Sequence, residues 1–207
     1  MKGGRIIGEG ADGCVVVDPL WPCASESKPP LSPSPRNTHL VSKLVLESDK
    51  EPLYLKAASR ILGPLAKTFI AGLEGECRPA NSTHPPSPEN TLAYGQTIHN
   101  IHRSVTKKDY PCNLIKKQSK TKKGIADTHR LLYVRRYPMN VAEWIDVKQP
   151  LRQRISNIRN GIGPFLNGIQ KFYQSSEQLI HIDLHIGNLF IRPPSQIGIA
   201  DFGHSLL

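Results

Sequence analysis

The sequence predicts an α+β fold, and three stretches predict it. Residues 5–17 read as strand, glycine-rich turn, strand. Residues 151–177 carry Ile155, Ile158, Ile162, Phe165, Leu166, Ile169 and Phe172 at three- and four-residue steps, the period of a helix. Residues 179–203 set Asp183, Asn188 and Asp201 between short apolar runs, as polar residues at strand ends are set. The expected organisation is a β-rich part over 1–137, with proline-rich and basic insertions, followed by an α-rich part over 138–207.

Length and composition bound the answer. A chain of 207 residues suffices for one sizeable domain or two small lobes. A hydrophobic fraction of 38% with 18 prolines points to a folded core carrying loop-rich insertions. The formal charge of +10 admits phosphates, acidic peptides, nucleic acid or anionic surfaces as partners and decides nothing about fold. Cysteines stand at 14, 23, 77 and 112 without a C-x-x-C pair, which argues against a zinc ribbon. No apolar signal core follows Met1 to Arg5, and no run approaches a membrane span. The expectation is an intracellular, cytoplasmic protein with its cysteines as thiols.

Each element has its own justification. Gly8, Gly10 and Gly13 fit G-x-G-x-x-G, and Val15 follows two places later. Glycines let a backbone approach phosphate oxygens with no Cβ in the way. A dinucleotide-binding turn needs a helix to open at the last glycine. Here Cys14-Val15-Val16-Val17 follows, a β-branched strand, which favours a hairpin. Prolines exclude regular structure over 18–38. The next strand is 39–46, with Lys43 amid apolar residues, where a lysine is costly to bury unpaired.

One helix is expected over 49–67, with Asp49 as cap, Pro52 in the first turn and Gly63-Pro64 at its end. Residues 68–73 read as a strand. Residues 78–130 show little periodicity and contain the basic run 116–123. That run reads as a solvated loop; nucleic-acid binding through it lacks the interleaved aromatics that stacking needs. A strand ending at Pro138 and a short helix from Val141 follow. The long helix of 151–177 contains Pro164, which kinks or splits it, and leads directly to His181.

Phosphoryl transfer explains the polar grouping. It needs positioning of the reactants and neutralisation of phosphate charge more than covalent help. Mg²⁺ takes one or two carboxylates plus phosphate oxygens, and Asn188 and Asp201 could supply the protein's share. Asp183 could accept or orient the proton of an attacking hydroxyl.

The Asp183-x-x-x-x-Asn188 spacing, the later Asp201-Phe202-Gly203 and the glycine loop resemble the protein-kinase-like superfamily. The resemblance implies a two-lobed kinase-like fold, with a β-rich N-lobe and a truncated α-rich C-lobe. It implies ATP and Mg²⁺ as cofactors and a protein serine or threonine as acceptor. Gly8, Gly10, Gly13 and Val15 would cover the phosphates, Lys43 would clamp them, and Glu51 would be the lysine's partner. Asp183 would be catalytic; Asn188 and Asp201 would bind metal. The hinge would fall near residues 135–137, and His181 would brace the loop. The opening residues also look like the start of kinase-like proteins of large double-stranded DNA viruses.

Two departures qualify the resemblance. His185 stands where serine/threonine kinases carry a lysine, and Asp-Leu-His with the following Asn is more similar to aminoglycoside and choline kinases. The chain also ends four residues after Gly203, so no activation segment or further helices follow. The expectation is exposed apolar surface that favours association, and a minimal kinase, a truncated product or an inactive nucleotide-binding remnant.

Overall fold

The computed structural model describes residues 5–9, 13–17, 20, 23–24, 39–79, 125–146, 149–192 and 195–207. It is an α+β chain in two compact units, one of 1–49 with 74–134, the other of 50–73 with 135–207. Residues 50–73 group with the later residues.

The first unit is a five-stranded sheet. Its strands are β1 (Arg5–Glu9), β2 (Gly13–Val17), β3 (Leu40–Leu46), β4 (Leu73–Cys77) and β5 (His129–Arg135), in the order β1-β2-β3-β5-β4. The β1–β2 hairpin is antiparallel, and its register shifts between Ile6 and Gly8, a bulge that strengthens local twist. β3 runs antiparallel to β2, and Ser42 Oγ donates to the Val16 carbonyl at 3.1 Å. Cys14, Val16, Leu44, Cys77, Leu131 and Tyr133 form a buried cluster, with Leu20 and Cys23 packed on it. Burial pushes the Tyr133 phenol up to about 12.

Cys23 and Cys77 are joined as a disulfide, and no described cysteine is free. The expectation of thiols is therefore corrected. Two observations bring the sulfurs together: Cys23 bridges Pro79 in antiparallel fashion, and Ala24 N donates to Arg78 O at 2.9 Å. The distance of 54 residues between them gives no sequence signal. A short helix, α3 (Ile125–Thr128), precedes β5, and Arg130 pairs with Glu47 at 2.7 Å.

The second unit contains α1 (Glu51–Leu62), α2 (Ala66–Phe69), α4 (Val141–Asp146) and α5 (Leu151–Gln174). Its strands are β6 (Met139–Asn140), β7 (Ile180–His181), β8 (Leu189–Arg192), β9 (Gln196–Ile199) and β10 (Ser205–Leu206). α1 is shorter than expected. Gly63 closes it with φ 55°, a left-handed value that suits glycine. Its N-cap is Lys50, which makes no side-chain cap, so Asp49 does not cap it.

The expected strand at 68–73 is not formed: Thr68 and Phe69 end α2, Ala71 and Gly72 are irregular, and Leu73 opens β4. Only Ile70 pairs before β4, in a parallel bridge to Ile199. α4 opens with a reciprocal cap: Glu143 N donates to Asn140 Oδ1 at 2.7 Å, and Asn140 N donates to Glu143 Oε2 at 2.9 Å. β6, β8 and β9 form one antiparallel sheet, and β7 pairs with β10.

α5 is a single helix through Pro164, yet it does not bury the face its periodicity suggests. Its buried residues are Asn157, Gly161, Gly168 and Phe172. A Cβ on Gly161 would strike the Ser195 carbonyl and Ile197, and one on Gly168 would strike the Phe69 ring. The missing side chains let the helix lie close to its neighbours. Phe69 packs on Phe165 and Phe172 at 5.6 and 5.7 Å, and Phe172 meets Phe202 at 6.3 Å. No helix among the described residues is long and apolar enough to cross a membrane.

Candidate active site

The first unit gathers part of the predicted phosphate site. Gly8 pairs with Val15 across the β1–β2 hairpin, and Val15 pairs with Lys43 across β2–β3. Gly13 pairs with Val45, and a Cβ there would lie 2.9 Å from the Leu44 carbonyl and 3.2 Å from Lys43 Cε. The lysine stem therefore runs over the glycine, and a larger residue at 13 would displace it. Lys43 is half-buried. Gly10 lies outside the described residues.

Glu51 is the first residue of α1 and belongs to the second unit, with 3% exposure. A carboxylate at a helix start is favoured by the helix dipole, and this one is buried.

The second unit gathers the other predicted residues. Asp183 lies in the turn after β7, and Asn188 immediately precedes β8. The buried Asn188 amide donates from Nδ2 to the Asp183 carbonyl at 3.0 Å and to Asp183 Oδ2 at 3.2 Å. Its own backbone N donates to His185 O at 2.9 Å. One side chain thus closes the loop and holds the Asp183 carboxylate in place.

The β8–β9 hairpin brings Asp201 to the same end. Leu189 pairs with Ile199, and the next step is Ala200 N donating to Asn188 O at 3.0 Å. Asp201 follows with φ 62° and ψ 67°, a left-handed conformation uncommon for non-glycine residues. Such an outlier motivates a functional reading rather than following from one. Phe202 is fully buried and anchors the turn against the His181 ring at 5.0 Å. His181 Nε2 donates to the Ala200 carbonyl at 3.1 Å, the bracing contact expected of it. Ile182 N donates to His204 O at 3.0 Å, tying the loop to the residues after the Asp-Phe-Gly turn.

His185 carries more than its sequence position revealed. Its Nδ1 accepts from Gly187 N at 3.0 Å, which leaves Nε2 as the protonated nitrogen of the neutral ring. Nε2 lies 3.7 Å from Asp183 Oδ2. The available signal was a histidine two residues from both Asp183 and Gly187. It marks a tight turn, not a side-chain direction.

The oxygen donors fit a hard cation in part. Asn188 spends its Nδ2 on Asp183, so its Oδ1 is the acceptor left to a ligand. The Asp201 backbone follows Ala200 at the same hairpin end, and its carboxylate is the other hard oxygen donor of the predicted pair. Mg²⁺ uses one or two protein oxygens when phosphates and water supply the rest. Among the described residues no group of three or more His, Cys, Asp or Glu could hold a metal by itself. No protein-family model matches this chain, and no curated protein matches it either.

Proposed function

We propose that this chain is an ATP- and Mg²⁺-dependent phosphotransferase of two-lobed, protein-kinase-like fold, with a protein serine or threonine hydroxyl as acceptor. The observation that carries the reading is the Asn188 amide bridging to Asp183 while Ala200 N on Asn188 O sets Asp201 beside them. In this reading Asp183 serves as the base and Asn188 and Asp201 serve the metal, the groups that phosphoryl transfer needs.

In this reading Asp183 orients the acceptor hydroxyl and takes its proton. Asn188 Oδ1 and Asp201 would hold Mg²⁺, which when bound neutralises phosphate charge. In the first unit Lys43 pairs with phosphate oxygens beneath the β1–β2 hairpin. The reading places the activity inside a cell, where ATP is, and requires the Cys23–Cys77 bond to form there. One observation favours a small-molecule hydroxyl instead. His185 lies beside Asp183, where serine/threonine kinases carry a lysine.

A thermal-shift titration with ATP, with and without Mg²⁺, tests the reading on wild type and Asp201→Asn. A ligand that binds only the folded chain raises stability as its concentration exceeds its dissociation constant. The expected result is a Mg²⁺-dependent shift that Asp201→Asn abolishes. A shift indifferent to both identifies a nucleotide-binding module without turnover. No shift in a folded sample sinks the phosphotransfer reading.

A further inference from the structure

α5 carries an apolar seam that its own unit does not cover. Leu151, Ile155, Ile158, Ile162 and Leu166 are between 44% and 70% exposed. At about 100° per residue they fall within an arc of about 80°, centred about a third of a turn from the buried face of Asn157, Gly161 and Gly168. Steps of three and four in so narrow an arc make a helix-pairing seam rather than a broad amphipathic face.

The charge of this stretch of sequence is of one sign. Residues 147–176 contain Lys148, Arg152, Arg154, Arg159 and Lys171 and no Asp or Glu. Arg152 and Arg159 are exposed and lie on one flank of the seam.

We propose that this seam docks one amphipathic helix of a partner protein, whose own apolar seam is flanked by acidic residues. A second copy of the chain is disfavoured, because two α5 helices would set arginine against arginine with no acid between them. A bilayer surface is disfavoured, because a helix lying in the interface buries a broad apolar face, not a narrow seam. An acidic helix answers both the spacing and the charge. The inference does not depend on phosphate transfer.

The test uses the full chain and a labelled synthetic helix of 24 residues, with leucine at three- and four-residue steps and glutamate beside the leucines. A twin peptide carries lysine in place of glutamate. The glutamate peptide is expected to bind at least about tenfold more tightly than its twin, a factor worth about 1.4 kcal/mol. Ile155→Asp with Ile162→Asp is expected to weaken it at least tenfold. Asn160→Asp, exposed on the opposite side of the helix, is expected to leave it within about twofold. Circular dichroism checks that each variant is folded. Equal binding of the two peptides overturns the proposal, as does binding that the aspartate pair does not weaken. Dimerisation in light scattering that the aspartate pair abolishes overturns it in favour of a second copy. Sedimentation with phosphatidylcholine–phosphatidylserine vesicles, lost in that pair, overturns it in favour of a membrane surface.

Discussion

Lys43 sits on β3, the third of five strands in order, held by register to β2 and backed by a core that a disulfide closes. Asp183 itself is held by the side chain of Asn188, five residues on. The first unit thus holds its candidate residue by long-range pairing, the second by a local loop propped on a hairpin end. Long-range support spreads damage through a cooperative unit, whereas local support confines it. Substitutions in the sheet are therefore expected to register as stability, and those in the loop as loss of site geometry.

The largest expected effect breaks the staple. Cys23→Ser with Cys77→Ser opens a loop of 54 residues, which the chain-entropy account values at about 4 kcal/mol. Calorimetry is expected to show the melting temperature fall by about 8–16 °C, and a reductant, which also opens the disulfide of Cys14, to lower that of wild type at least as far. An unchanged melting temperature would mean that the sheet holds Lys43 without the cross-link.

The next tests the second unit's packing. Gly168→Ala puts a Cβ into the Phe69 ring and is expected to cost about 1–3 kcal/mol in denaturant unfolding, as over-packed sites do. Gly163→Ala, where a Cβ meets nothing within 4 Å, is the control and is expected to be neutral or stabilising.

A smaller effect separates site from scaffold. Asn188→Ala removes both hydrogen bonds to Asp183 and is expected to cost about 1–2 kcal/mol. It is also expected to abolish the Mg²⁺-dependent part of any ATP shift. A loss of stability as large as that from the cysteine pair would show that the loop is not local after all.

The smallest concerns the sheet's surface. Hydrogen bonding to Arg130 holds the Glu47 carboxyl below its usual range. A depressed carboxylate contributes stability above its unfolded pKa near 4.3, and the contribution is lost as pH falls through the folded value. Both partners are partly exposed, so Glu47→Gln is expected to cost only about 0.2–1 kcal/mol at neutral pH. The difference from wild type is expected to vanish in acid, measured by urea unfolding at several pH values.

Much of the secondary structure was legible. The hairpin at 5–17, the strand at 40–46 and the helices at 141–146 and 151–174 follow from alternation, helical period and turn residues. That Asp183 and Asn188 share one loop was legible from their spacing, but the hydrogen bonds from Asn188 to Asp183 were not. The strand expected at 68–73 was not found, because an apolar run too short for periodicity reads equally as strand or helix. Glu51 was legible as a helix start but not as a buried one, since burial depends on what the rest of the fold lays over it.

The seam of α5 marks the division most plainly. By itself the sequence determined that Ile155, Ile158 and Ile162 share one side of a helix, because 3.6 residues per turn is a property of the backbone. It likewise determined that glycines would line the first hairpin and that Asp183, Asn188 and Asp201 would stand at strand ends. Only the tertiary structure decided that the helix would bury Gly161 and Gly168 instead, that Cys23 would close on Cys77, and that Asp201 would take a left-handed turn beside Asn188. The physical reason is the same for all three. Periodicity and turn chemistry are local, whereas burial, cross-linking and tolerated strain depend on neighbours supplied by distant chain, whose close approach no local pattern encodes.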